Sequence, residues 1–110
     1  MKQTDLAWAA GFIDGEGCFY VQRLPTRCYM RLAVDQADEV PGEPAAALLR
    51  VQSVVGGKFQ LRSARPNRRS QHKIILCTEA DVHKAAKLLW KYLGAVKRRQ
   101  YEEAAKKCLI

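Results

Sequence analysis

The sequence has few of the residues that build zinc-binding or disulfide-rich small proteins. It holds two histidines and four cysteines, and no two cysteines form a Cys-x-x-Cys pair, so the spacing of a zinc site is missing. The thiols of Cys18, Cys28, Cys77 and Cys108 are those expected of a reduced cytosolic chain. We assign them no chemistry.

Long hydrophobic runs are also missing. No apolar segment approaches the roughly 20 residues that a membrane-spanning helix needs, and Asp5 and Asp14 interrupt the first apolar stretch, unlike a secretory signal. We therefore expect an intracellular protein (cytoplasmic, nucleoid-associated or organellar) that is soluble, not secreted, and has no membrane partner. Its 110 residues are enough for one compact domain, residues 1–110, and too few for two.

Acidic residues are the minority among the charged ones. Eleven Asp and Glu stand against 19 Lys and Arg, a formal net charge of +8. Such an excess favours a nucleic-acid partner and disfavours a small-molecule metabolic enzyme. Charge alone does not choose among DNA, RNA and an anionic membrane, and a merely solubilising surface is the alternative.

The hydrophobic pattern predicts the order α-β-β-α-β-β-α-α, two similar halves of helix plus hairpin followed by two helices. This is an α+β fold with one antiparallel sheet and helices on one face. The predicted elements are a helix over 5–13 capped by Thr4 and ended by Gly15 and Gly17, strands over 18–24 and 28–36, a helix over 43–54 with Pro44 in its first turn, strands over 58–63 and 72–77, a helix over 79–93 capped by Thr78, and a last helix that carries Lys97 and ends near Leu109.

Residues 9–17, AAGFIDGEG, are the most informative segment. Taken alone, an acid between glycines indicates only a turn. The whole segment, however, resembles the motif of the LAGLIDADG homing endonucleases. The motif's apolar pair, two acids and two glycines correspond to Phe12 and Ile13, Asp14 and Glu16, and Gly11 and Gly17.

The resemblance implies a site-specific endonuclease that hydrolyses both strands of a long, near-palindromic duplex with Mg²⁺ or Mn²⁺. It implies that Glu16 is the catalytic, metal-binding carboxylate and that the Gly15 carbonyl is an adjacent ligand. Gln36 corresponds to a polar residue near the attacking water, and Lys97 to a lysine beside the active site that stabilises developing charge. A solvent-exposed strand end and a solvated helix end are the alternatives for Gln36 and Lys97.

Only one copy of the motif is present, so the resemblance implies a homodimer with two-fold symmetry. Small residues let two helices approach closely, and Ala7, Ala10 and Gly11 are expected to form such a contact. Asp14 is assigned to the same interface and to a structural role in the turn. Two Glu16 carboxylates near the symmetry axis would then hold hard cations against a phosphate.

The strand alternation predicts a DNA-binding sheet face that is poor in acids, with Asp35 the exception. A plain solvent-exposed sheet is the alternative. The residues expected on this face are Tyr20, Gln22, Leu24, Tyr29, Arg31, Ala33, Lys58, Gln60, Arg62, Gln71 and Lys73, while Phe59, Leu61, Ile74 and Leu76 are expected to point inward. Arg65, Arg68 and Arg69, in the loop between the last two strands, are expected to contact phosphates.

Two other functions fit parts of the sequence. A protein of the same fold that has lost cleavage would act as a DNA-binding regulator or an intron-splicing maturase. A helix-turn-helix regulator over residues 43–63 is disfavoured, because strand-like residues 58–63 stand where its recognition helix should lie.

Overall fold

The computed structural model describes residues 2–108, which form eight elements in the predicted order. They are α1 (Gln3–Glu16), β1 (Gly17–Leu24), β2 (Arg27–Ala37), α2 (Ala46–Val55), β3 (Lys58–Arg62), β4 (Gln71–Leu76), α3 (Glu79–Leu89) and α4 (Ala95–Cys108). Among the helices described, none is long and apolar enough to cross a membrane.

The four strands form one antiparallel sheet in the order β1-β2-β4-β3. The two hairpins meet where β2 pairs with β4, and Val34 of β2 lies between Gly17 of β1 and Ile74 of β4. The predicted α+β class with an antiparallel sheet is confirmed.

The core lies between this sheet and the helices. Met30, Leu32 and Val34 alternate along β2 and are buried, as are Ile74 and Leu76 of β4. Such a period of two is typical of a strand with one buried face. The helices add Ala9, Ala10, Ile13, Leu48, Val51, Val82, Ala85, Ala86 and Leu89 to the same cluster.

A buried polar network joins the loop after β2 to the loop before β4. The carboxylate of Asp38, 2% exposed, accepts a hydrogen bond from the Ser70 hydroxyl at 2.6 Å and lies 2.7 Å from Nδ1 of His72. The Asp38 backbone N–H donates to the Ser70 carbonyl at 3.0 Å. Because an unpartnered buried polar group is costly, this network fixes the loop after β2 against the loop before β4.

The first helix differs from its prediction at both ends. Its N-cap is Lys2, without a side-chain hydrogen bond, so the prediction that Thr4 caps it is wrong; Thr4 lies inside the first turn. Gly15 does not end the helix, which continues through Glu16. A single glycine costs about 1 kcal/mol of helix stability, and the packing of Ala9, Ala10 and Ile13 outweighs that cost.

Two other helix ends also differ from their predicted positions. The second helix begins at Ala46, after the N-cap Ala45, so Pro44 precedes it and is not in its first turn. The third helix ends at Leu89 instead of Leu93, although Leu93 is still buried. The predicted Thr78 cap is confirmed, since its hydroxyl accepts from the Asp81 N–H at 3.1 Å. The predicted end of the last helix at Leu109 lies outside the described residues.

Leu61 lies on the helix-facing side of β3, as predicted, because it pairs with the buried His72, but it does not enter the core. Its side chain is 55% exposed, whereas Phe59, two residues earlier in β3, packs against the core. β3 is an edge strand of five residues, and Leu61 is next to its end, so alternation alone does not secure burial there.

Candidate functional site

The chain passes directly from α1 into β1, and this junction holds Glu16 at an exposed corner. Gly17 is required there, because a Cβ atom would lie 2.8 Å from Cγ2 and 2.9 Å from the carbonyl oxygen of Ile13. Its backbone N–H donates to that same carbonyl. Glu16 is therefore the last helical residue, with its carboxylate directed away from the core.

The Gly15 carbonyl oxygen is a second metal-ligating group, beside the carboxylate of Glu16. The N–H of Phe19, four residues on, donates to Oε1 of Gln100 in α4 at 2.7 Å and not to this carbonyl, as a continuing helix would require. Mg²⁺ and Mn²⁺ prefer oxygen ligands of this kind, so the donor set fits such a cation. Within residues 2–108 no three His, Cys, Asp or Glu side chains group to hold a metal ion.

Asp14 connects this corner to α4. Its two carboxylate oxygens accept from the backbone N–H of Gly94, at 3.0 and 3.1 Å, and Gly94 immediately precedes α4. The hydrogen bonds join the last turn of α1, with Glu16, to the first turn of α4, with the half-buried Lys97. The side chain of Asp14 stays exposed, so its assignment to a dimer interface stays a prediction.

Gln36 lies on the helix-facing side of β2, two residues beyond Val34 and opposite His72 of β4. It is half-buried, so it is not a fully solvated strand end. The catalytic roles of Gln36 and Lys97 stay predictions. Arg98, next to Lys97, is structural: its guanidinium donates to the carbonyls of Trp90 and Lys91.

One face of α1 is lined by small residues and open to solvent. Ala7, Gly11 and Gly15 follow one another every four residues and are exposed, and a Cβ atom added at either glycine would meet nothing within 4 Å. We call these three residues the small-residue stripe. The prediction that Ala10 shares an interhelical contact with Ala7 and Gly11 is wrong: Ala10 is fully buried in the core cluster, because it lies about 100° around the helix axis from Gly11.

The face of the sheet away from the helices carries the residues predicted for it. Gln22, Leu24, Lys58, Gln60 and Arg62 are exposed, and Tyr20, Tyr29, Arg31, Gln71 and Lys73 are half-buried. We call this surface the open sheet face. Ala33, expected to project there, is only 8% exposed, because it lies in register between Cys18 and Ile75, whose side chains flank its methyl group.

Arg31 is held in place at the centre of this face. Its Nε donates to the Gln22 side chain at 2.8 Å, and its Nη1 donates to the Cys77 carbonyl at 3.0 Å. The guanidinium carbon lies 5.3 Å from the centre of the Tyr29 ring. Burial raises the pKa of the neighbouring Tyr20 phenol, although the charge of Arg31 opposes this. Tyr20 is therefore a neutral hydrogen-bonding group at physiological pH.

Residues 65–69, between β3 and β4, form a tight turn that presents three arginines, and we call them the basic loop. Arg65 and Arg68 exchange two backbone hydrogen bonds of 2.9 Å, and both are exposed, as is Arg69. Ser70, which follows, belongs to the buried network with Asp38. The loop is thus anchored at its base.

Sequence reasoning missed the residues that support these surfaces. Asp38, Ser70, His72 and Gln100 were given no role, and neither was the contact of Asp14 with Gly94. Only His72 carried a signal, because it occupies an inward position of β4 where an apolar residue is expected.

No family model and no curated protein matches the sequence. Solved structures do. The homing endonuclease I-CvuI in complex with its target is 24% identical with a TM-score of 0.69; the match covers 91% of this chain and 62% of that one. The LAGLIDADG meganuclease I-AabMI, bound to uncleaved DNA, is 20% identical with a TM-score of 0.66, over 92% of this chain and 35% of that one.

A third structure, the LAGLIDADG homing endonuclease I-GzeII in complex with a DNA target, is 14% identical with a TM-score of 0.68, over 92% and 34% of the two chains. The chain thus spans between about a third and three fifths of the length of these proteins. Nine tenths of the present chain superposes on chains of the same architecture. The chain has the fold of the LAGLIDADG homing endonucleases.

Proposed function

We propose that this chain is a member of the LAGLIDADG family and a metal-dependent DNA endonuclease that cuts both strands of a long, near-palindromic site as a homodimer. The observation that carries the proposal is the position of Glu16. Its exposed carboxylate stands at the end of the small-residue stripe, in a fold shared with endonucleases solved on DNA.

The stripe supports the homodimer. Each glycine in a helix costs about 1 kcal/mol relative to alanine, yet Gly11 and Gly15 have free space around them in the single chain. Their benefit would come from a second helix packed closely on this face. Two α1 helices that cross here bring the two Glu16 carboxylates to a shared region, which compensates for the few ligands that one chain offers.

The open sheet face supports DNA as the substrate. Its side chains are mainly Gln, Arg, Lys and Tyr, which read base edges in a major groove. The arginines of the basic loop extend this surface toward phosphates. In this assignment each subunit of the homodimer places its sheet on the DNA, and the residues at the end of α1 act on the DNA strand that lies between the two sheets.

The chemistry at the corner is phosphodiester hydrolysis. A bound Mg²⁺ or Mn²⁺ would supply charge stabilisation and lower the pKa of a water. Glu16 and the Gly15 carbonyl would hold that cation. Lys97 stabilises negative charge on the phosphate, and Gln36 orients the attacking water. Asp14, through Gly94, keeps the α4 turn that carries Lys97 against the turn that carries Glu16.

The test is a comparison of wild type with Glu16→Gln on a library of duplex sites with Mg²⁺, scoring binding and cleavage separately. Glu102→Gln, a change at an exposed position of α4, is the matched control. We expect Glu16→Gln to bind DNA while cleavage falls by at least ~100-fold, and the control to cut normally.

Three results would contradict the proposal in different ways. Wild type that binds but never cuts would indicate a cleavage-inactive regulator or maturase of the same fold. Cleavage that persists in Glu16→Gln would remove Glu16 from the active site. A chain that binds no DNA at all would end both the endonuclease and the regulator assignments.

A further inference from the structure

Two cysteines that are distant in sequence come together at the end of the molecule where α4 finishes. Cys28, the second residue of β2, and Cys108, the last residue of α4, are 80 positions apart, and their sulfur atoms are 2.6 Å apart. Both are free thiols and half-buried. A disulfide has a sulfur–sulfur bond of about 2.05 Å, so only a small side-chain shift separates this contact from a covalent bond.

The other two cysteines have no such arrangement. Cys18 lies on β1 and Cys77 directly follows β4, and β2 runs between these strands. Two interstrand spacings place their Cα atoms at least ~9.5 Å apart, beyond the ~7 Å limit for a disulfide. Both are also exposed. Cys28 and Cys108 are therefore placed to form a disulfide bond with each other, and Cys18 and Cys77 are not.

We infer that Cys28 and Cys108 form a reversible covalent staple between β2 and α4 when the chain meets a low-molecular-weight disulfide oxidant. In the first step the Cys28 thiolate attacks the oxidant disulfide, which forms a mixed disulfide and releases one oxidant thiolate. In the second step the Cys108 thiolate attacks the Cys28 sulfur and displaces the second oxidant thiolate. Two protein thiols are oxidised, one disulfide is reduced to two thiols, and the protein protons go to solvent.

The order of attack follows from the surroundings of Cys108. Burial, with the neighbouring Cys28 and the carboxylate of Glu79, raises the pKa of the Cys108 thiol to about 11, while the charge of Arg23 opposes this. His83 also lies close to Cys108, in the same small cavity. Because thiolate is the attacking species, Cys108 reacts slowly with an oxidant at neutral pH, and the first attack is assigned to Cys28.

Closing the bond restrains the unfolded chain over most of its length. A loop of this size stabilises mainly by reducing the entropy of the unfolded state. It also fixes the end of α4 to the β1–β2 hairpin, to which α4 is already joined by Gln100 and Phe19. The inference is independent of the proposed function, since it requires only the folded chain.

The experiment uses the full chain, reduced and then incubated with oxidised glutathione under native conditions. Peptide mapping without reduction identifies the linked cysteines, and thermal unfolding measures the effect. We expect a single Cys28–Cys108 link, a fall from four reactive thiols to two, and a rise in Tm of roughly 10 °C. The double variant Cys18→Ser/Cys77→Ser should form the same link, with its reactive thiols falling from two to none, and show the same rise in Tm, whereas Cys28→Ser should form no internal link.

The folded structure should also be necessary for the selectivity. In denaturant the preference for this pairing over other pairings should fall by at least ~100-fold, because the two thiols are no longer held together. The inference is overturned if all four thiols stay reactive in the folded chain. Equal yields of other pairings under native conditions, or an unchanged Tm after linkage, would overturn it as well.

Discussion

The carboxylate of Asp14, in the last turn of α1, binds the backbone N–H of Gly94, the residue that immediately precedes α4, at 3.0 and 3.1 Å. The two residues are 80 positions apart. Asp14 thus satisfies one of the N–H groups that every helix start leaves unpaired, and its negative charge suits the positive end of the α4 dipole. Gly94 permits the approach, since a Cβ atom there would lie 3.2 Å from Asp14 Oδ2.

Replacing Asp14 with alanine should lower the free energy of unfolding by about 1 kcal/mol, the usual cost of losing a helix cap. Asp14→Asn keeps an acceptor and should cost less. The measurement is urea denaturation of the two variants beside wild type. Under the proposed function, Asp14→Ala should also slow cleavage more than it weakens DNA binding.

Gly94→Ala provides the matched test of this contact. The added methyl group must push the Asp14 carboxylate away, so the cost of Asp14→Ala should shrink when both changes are combined. Additive effects in this double-mutant cycle would show that the two residues contribute independently.

The order of the elements was predictable because the apolar residues of β2 and β4 alternate with a period of two. The motif around Asp14 was recognisable because its residues are contiguous. Ala10 was misplaced because residue size does not reveal on which side of a helix a small residue lies. The partners of Asp38 and of Asp14 were invisible, since each contact joins positions that only the folded chain brings together.

Asp38 is a buried polar residue that holds the loop after β2 against Ser70, at the base of the basic loop. Asp38→Ala would leave the Ser70 hydroxyl and His72 Nδ1 without their buried partner. We expect the free energy of unfolding to fall by about 3 kcal/mol at neutral pH. Glu43→Ala, at an exposed position in the same loop, should change it by less than ~0.5 kcal/mol.

The pH dependence of this difference follows from the carboxyl group. Burial acts to raise the pKa of Asp38, but the hydrogen bonds from His72 and Ser70 together outweigh it and hold the pKa below the ordinary value of 3.8. A lowered pKa contributes stability that is complete above pH 3.8 and is lost as the pH falls through the folded value. The gap between wild type and Asp38→Ala should therefore narrow as the pH falls below 3.8. A gap that stays unchanged through this acidic range would contradict the assignment.

Gly11 tests the homodimer without disturbing the single chain. A side chain there meets open space, so Gly11→Leu should fold and gain up to about 1 kcal/mol from better helix propensity. The same side chain would prevent close approach of a second α1. Sedimentation over a range of concentrations should show a dimer for wild type and a monomer for Gly11→Leu.

Ser53→Leu, an exposed position on α2, is the control and should stay dimeric. Wild type that remains a monomer at every concentration would remove the homodimer from the proposal. So would a Gly11→Leu variant that dimerises as tightly as wild type.

Arg68 tests the role of the basic loop, and the test needs no knowledge of the target site. If its exposed guanidinium neutralises a phosphate, Arg68→Ala should weaken binding to any duplex DNA by a similar factor. It should also reduce the slope of log affinity against log salt by about 0.9. Arg65 and Arg69 should behave alike, and the triple variant should lose about three times as much slope.

Lys87→Ala, on α3 and therefore on the helix side of the sheet, should leave the slope unchanged, because a residue there cannot reach DNA that lies on the open sheet face. An equal loss of slope for Lys87→Ala and Arg68→Ala would mean that the positive charge acts only through its total, and the basic loop would then have no specific place in DNA binding.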